Sequence, residues 1–120
     1  MPVYAVTEKT SVQYTATLKD ETGAAVPLAA LGTLTLTLYN VSSGAILNGR
    51  NAQNVLNANG VTVHATSGLL TWTLDPLDSP ILDDTLNEEL HRALFRATWS
   101  TTKGANWEVD FLVNNLAKVT

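Results

Sequence analysis

Residues 33–40 read TLTLTLYN, with Leu34, Leu36 and Leu38 on one side of an extended chain and Thr33, Thr35 and Thr37 on the other. Successive side chains of a strand point to opposite faces, so this alternation makes one apolar face and one hydroxyl face. A helix would scatter the same leucines around its axis. The segment therefore reads as a half-buried β-strand, and it sets two demands. Its leucine face must be covered, and its backbone edges must be paired or protected.

Similar alternation recurs along the chain. SVQYTATLK places Val12, Tyr14, Ala16 and Leu18 on one face, and DETGAAVP then supplies turn residues, with Pro27 ending any ladder. After TLTLTLYN, a turn at Ser42–Gly44 and a return strand through Ile46 complete a first hairpin. VTVHA and LLTWTL form a second around Thr66–Gly68, with Leu70, Trp72 and Leu74 on one face. In NAQNVLNANG, Asn51 as cap, Val55 and Leu56 facing inward and Gly60 as stop predict one to two helical turns. Ser79 followed by Pro80 is a helix-start signal, so a short helical turn is expected near 79–87.

The segment TLNEELHRALFRATW carries two patterns. Thr85 and Glu88 can form a capping box ahead of a helical stripe of Leu86, Leu90, Ala93, Leu94 and Ala97. Read as a strand from His91, it turns Ala93, Phe95, Ala97 and Trp99 inward and Arg92, Arg96 and Thr98 outward. Its neighbours are strands, and NWEVDFLVN after TTKG offers a partner with Trp107, Val109, Phe111 and Val113 inward. A strand from about 89 to 100 is therefore the expectation. The sum is an all-β chain, an immunoglobulin-like β-sandwich of about seven antiparallel strands with one or two short helical turns. Residues 1–9 would be an N-terminal arm and residues 10–120 the sandwich domain.

Composition narrows the function. A chain of 120 residues makes one domain, burying roughly two-thirds of the surface it exposes when unfolded. With no cysteine, disulfides and thiolate metal sites are excluded. Seven basic residues against eleven acidic ones give a net charge of −4, and the bases are scattered. A phosphate-tracking surface needs clustered positive charge, so nucleic acid is not an expected partner. MPVYAVTEKT lacks the basic and apolar regions of a secretory signal, and no run approaches the roughly 18 apolar residues of a membrane span.

No catalytic constellation emerges. Asp75, Asp78, Asp83, Asp84, Glu88 and Glu89 form an acidic stretch without the spacing or sharp-turn glycine of a calcium loop, and beside Pro76 and Pro80 they read as turn caps at a solvated corner. Glu88 and Glu89 would point to opposite faces of a strand, which argues against a paired-carboxylate glycosidase. His64 and His91 share no metal-binding spacing and read as surface or rim residues. Trp72, Trp99 and Trp107 fall in phase with core positions rather than on an exposed sugar platform. No catalytic residue, metal or cofactor is expected, and the chain is not read as an enzyme.

YTATLKDETGAAVPLAALGTLTLTLYN, with LNGRNAQNVLNANGV, LTWTLDPLDSPILDD and HRALFRATW, resembles the small immunoglobulin-like structural proteins of tailed bacteriophages and prophages. More distantly it is similar to the N-terminal domain of phage baseplate upper proteins. The likeness spans residues 10 to about 117 and rests on the order of the four pieces. It implies a virion structural protein (a capsid decoration, a head–tail joint, or a tail or fibre-attachment component) assembled in the bacterial cytoplasm. Its partners would be other virion proteins and copies of itself. A module binding host-surface glycans through loops at one end of the sandwich is the alternative. The segment PVYAVTEK is expected to add to, or lie along, a neighbouring subunit's sheet, with Tyr4, Val6, Glu8 and Lys9 as the candidate interface and Tyr4 as anchor.

Overall fold

A computed structural model describes residues 3–7, 9–82, 85–99 and 103–115. Among them are eight strands: β1 (Val3–Thr7), β2 (Gln13–Thr17), β3 (Thr33–Asn40), β4 (Gln53–Asn54), β5 (Val61–Val63), β6 (Leu69–Thr73), β7 (Glu88–Thr98) and β8 (Gly104–Asn114). They form a five-stranded sheet of order β1-β8-β7-β3-β4 and a three-stranded sheet of order β2-β6-β5. The chain is thus an all-β sandwich. Every ladder is antiparallel except that of β1, which runs parallel to β8 with Val3 opposite Asp110 and Thr7 opposite Asn114.

The alternating strand β3 meets both of its demands. Leu34, Leu36 and Leu38 are fully buried, while the threonines are exposed or half-buried on the outer face. One edge pairs along its whole length with β7, from Thr33 opposite Thr98 to Asn40 opposite His91. The other is covered by β4 and by the irregular segment before it: Leu38 donates to the Arg50 carbonyl at 2.8 Å and accepts from Leu47 at 2.9 Å. The expected hairpin through Ile46 is reduced to a single bridge with Tyr39. Trp72 reaches the core from the opposite sheet, whereas Phe95 and Phe111 lie in the same sheet as the leucines, Phe95 directly opposite Leu36.

The ambiguous segment becomes strand from Glu88 to Thr98, because β8 offers eleven residues of antiparallel pairing and leaves Ala93, Phe95 and Ala97 buried. Two sequence expectations are corrected nearby. The segment 51–60 is not helical: Ala52, Asn57 and Asn59 hold φ of 49°, 52° and 55°, and Gly60 holds 90°. A right-handed helix cannot pass through such residues. Val55 is buried all the same and Leu56 half-buried.

The helical turn of the acidic corner lies at Pro76–Asp78, not near 79–87. Asp75 accepts from the Leu77 amide while the Asp78 carboxylate accepts from the Asp75 amide, a closed capping box around a proline at the first position. The effective start signal was Asp75-Pro76, four residues before Ser79-Pro80. A second short 3-10 turn spans Leu28–Ala30.

Replacing Leu36 with alanine should lower unfolding free energy by about 2–5 kcal/mol, through lost burial and the cavity left behind. Replacing its neighbour Thr35 should cost less than about 1 kcal/mol, as for most surface changes. Denaturant unfolding of both variants checks this; equal costs would contradict the assignment of faces.

Candidate functional site

The sandwich presents three places where chemistry or contact can concentrate: the β1 edge, a buried polar cluster at one end, and an open polar cleft.

The N-terminal segment lies within the sandwich. Residues 3–7 form the outermost strand of the five-stranded sheet, so the boundary expected between an arm and a domain at residue 10 is not where pairing divides the chain. Val6, one of the four candidate interface residues, is buried, so its side chain faces the core and only its backbone lies on the β1 edge. Tyr4 is 43% exposed and packs on Tyr14 and Phe111, with both ring centroids at 5.8 Å. Lys9 is exposed, with φ of 54° and its amide bonded to the Ser79 carbonyl at 2.9 Å, which ties the end of the segment to the acidic corner. Glu8 lies outside the described residues. The far side of β1 carries no strand, so among the described residues its outward amides and carbonyls form an open edge.

The acidic stretch separates by burial. Glu88 is exposed and Glu89 buried, as opposite strand faces require. Asp75 is exposed, and Asp83 and Asp84 lie outside the described residues. Asp78 and Glu89 are buried rather than solvating the corner, a correction that follows from the bonds they accept. The Glu89 carboxylate takes the Leu82 amide at 3.1 and 3.0 Å, the Asn40 carboxamide at 3.0 Å and His91 Nε2 at 3.0 Å. Asn40 in turn accepts from the Ser42 and Ser43 amides, shaping the turn after β3.

His91 is fully buried, not at the rim, because it shares the inner face of β7 with Glu89 and Ala93. This was readable in principle: the strand phase that turns Ala93 inward turns His91 inward too. His64 is exposed as expected, its Nδ1 accepting from the Thr66 and Ser67 amides in the hairpin turn.

Asp78 meets Arg50, which no sequence pattern announced. The guanidinium grips both carboxylate oxygens, Nε to Oδ1 at 2.5 Å and Nη2 to Oδ2 at 3.0 Å, while Nη1 donates to Gln53 Oε1 at 2.9 Å. Its carbon lies 5.6 Å from the centre of the Trp72 ring. A buried charge is tolerated when it is paired and hydrogen-bonded; here the Asp78 carboxylate accepts four bonds, three of them from side chains and one from the Asp75 amide, and Arg50 spends three of its five N–H donors. Arg50, backed by the buried Asp78, lines an open cleft of about 550 Å³ whose walls include Asn48, Gln53, Asn59, Thr73 and Asp75. Gly60 in the wall cannot be replaced without strain, since its φ is 90° and a Cβ there would lie 2.9 Å from the Thr73 carbonyl. Among the described residues no group of three histidine, aspartate or glutamate side chains could hold a metal ion.

Burial lowers the pKa of His91, and the Glu89 carboxylate offsets this only in part. In neutral His91, Nε2–H donates to Glu89 and the buried Nδ1 is left without a partner. The unfolded chain therefore binds this proton more readily than the folded one. The stability contribution is complete above about pH 6.5 and is lost as pH falls below that value. Thermal melts should show a drop in Tm between about pH 7.5 and pH 5.5 that shrinks in His91→Phe. An identical drop in both proteins would contradict the assignment.

No family model matches the chain. No curated protein matches it either. Among solved structures it is similar to the periplasmic chaperone SfaE, with 12% identity and a TM-score of 0.51 over 98% of this chain and 56% of that one. The chain spans little more than half the length of that chaperone. At such identity the likeness shows the fold alone: a two-sheet, immunoglobulin-like β-sandwich.

Proposed function

We propose that the protein is a non-enzymatic structural component of a tailed-bacteriophage virion, acting through protein–protein contacts made by its sheet edge. The observation that carries this reading is the open outer edge of β1, with Tyr4 half-exposed at its side. An unpaired strand edge is an aggregation hazard for a free protein and a ready docking site for a subunit of an assembly. Tyr4 is held against Tyr14 and Phe111, so little side-chain freedom remains to be lost when a partner covers it. Many weak edge contacts add up in a symmetric particle. The virion setting itself comes from the four-piece sequence resemblance, which implies the sandwich fold that the chain has.

Mass spectrometry of purified particles from cells encoding the protein tests this. The protein should be present in fixed proportion to the capsid or tail proteins. Ala5→Lys places a charge on an exposed β1 position and should lower incorporation severalfold without changing Tm. Absence of the protein from particles would overturn the virion role, and undiminished incorporation of Ala5→Lys would overturn the β1 contact.

A further inference from the structure

We infer that the polar cleft over the Arg50–Asp78 pair is a binding site for a neutral saccharide unit. The inference does not depend on the virion role and rests on how each wall residue spends its hydrogen-bonding groups. Asn48 commits its amino group to Asp78 Oδ1 at 2.9 Å, and Asn59 commits its own to the Asn54 carbonyl at 2.8 Å. Each therefore keeps a carboxamide oxygen with no partner among the described residues. Gln53 is the reverse, its oxygen taken by Arg50 and its amino group left over. Thr73 accepts from Gln13 at 3.3 Å and keeps its hydroxyl proton to donate. Asp75 uses one carboxylate oxygen on the Leu77 amide and keeps the other.

The result is a fixed set of acceptors and donors around one cleft, each side chain held by its committed end. Asn48 and Asn59 are also held by the backbone, at φ of 51° and 55°. Such mixed donor–acceptor walls match a ligand whose groups both donate and accept, and vicinal hydroxyls do so.

Charge argues against ionic ligands. Among the described residues Arg50 is the one cation in the wall; its charge is paired with both Asp78 oxygens, and with Gln53 these bonds use three of its five N–H donors. The remaining charge is the Asp75 carboxylate, which repels phosphates, sulfates and acidic sugars. Asp75 is the one carboxylate among the described wall residues, so the wall lacks the several anionic ligands that usually hold a hard cation. A cleft of about 550 Å³ admits a single hexose or N-acetylhexosamine ring. The one aromatic ring beneath it, Trp72, is fully buried under Arg50 and offers no stacking face. Affinity for one unit should accordingly be weak, on the order of millimolar, and useful only when many copies act together.

Titration of the isotope-labelled protein with glucose, galactose, mannose, N-acetylglucosamine and sialic acid, followed by amide and carboxamide NMR shifts, tests the assignment. At least one neutral sugar should give saturable shifts at Asn48, Gln53, Asn59 and Thr73, and sialic acid should give weaker ones. The double variant Asn59→Gly and Thr73→Val removes two contact groups, keeps a residue suited to the left-handed backbone, and leaves the Arg50–Asp78 pair intact. It should weaken binding at least tenfold with the spectrum otherwise folded. The assignment is overturned by no saturable shift from any neutral sugar, by shifts elsewhere on the sandwich, by stronger binding of sialic acid, or by unchanged affinity in a folded double variant.

Discussion

One aromatic cluster joins the two sheets, and the rest of the structure is arranged around it. No strand ladder crosses between the sheets, so their union rests on side-chain packing. Trp72 of the smaller sheet meets Phe95 and Phe111 edge-on, each at 5.6 Å, and Tyr14 stacks on Phe95 at 6.0 Å. Trp107 stacks on Phe95 from within the larger sheet at 5.1 Å and donates to the Tyr14 hydroxyl at 3.2 Å. Such pairs contribute about 0.5–1.5 kcal/mol each beyond the area they bury. They also fix the relative placement of the sheets, because edge-on and offset geometries are directional. Tyr4 extends the cluster to the open side, which is why β1 is anchored even though it pairs with only one strand.

The buried polar groups do a different job. Arg50–Asp78 and Glu89–His91 sit beside an apolar core and contribute little net stability compared with apolar residues of similar volume. Both instead tie irregular segments to the sheets. Asp78 binds Arg50 and Asn48 from the segment after β3 and the Asp75 amide of the acidic corner, while Glu89 binds Leu82 of that corner to β3 and β7. Loops held in this way keep their shape without being covered, as the cleft over Arg50 requires.

The strands were legible because alternation is a local signal: Leu34, Leu36 and Leu38, or Ala93, Phe95 and Ala97, announce their face without knowledge of any partner. Pairing was harder. β1 joins β8 in parallel across more than 100 residues, and no short-range pattern encodes such a contact. At 51–60 an asparagine-rich run offered both a capped helix and a chain of left-handed turns. Asparagine tolerates the left-handed region, and contacts to β3 such as the Val55 amide on the Leu34 carbonyl favoured the turns. The Arg50–Asp78 pair was invisible for the same reason as the β1 pairing, since its partners lie 28 residues apart in irregular chain. His91 is the exception, because its burial followed from a strand phase already in hand.

In the proposed role, edge, anchor and avidity act together, with the cleft as a separate surface that assembly need not cover. The most direct measurement is hydrogen exchange at the amides of residues 3–7, in the free protein and in purified particles. In the free protein, the β1 amides that point away from β8 should exchange quickly. On assembly they should become protected to the level of their β8-paired neighbours. Equal exchange of the outward amides in both states would contradict the claim that this edge is where the protein docks.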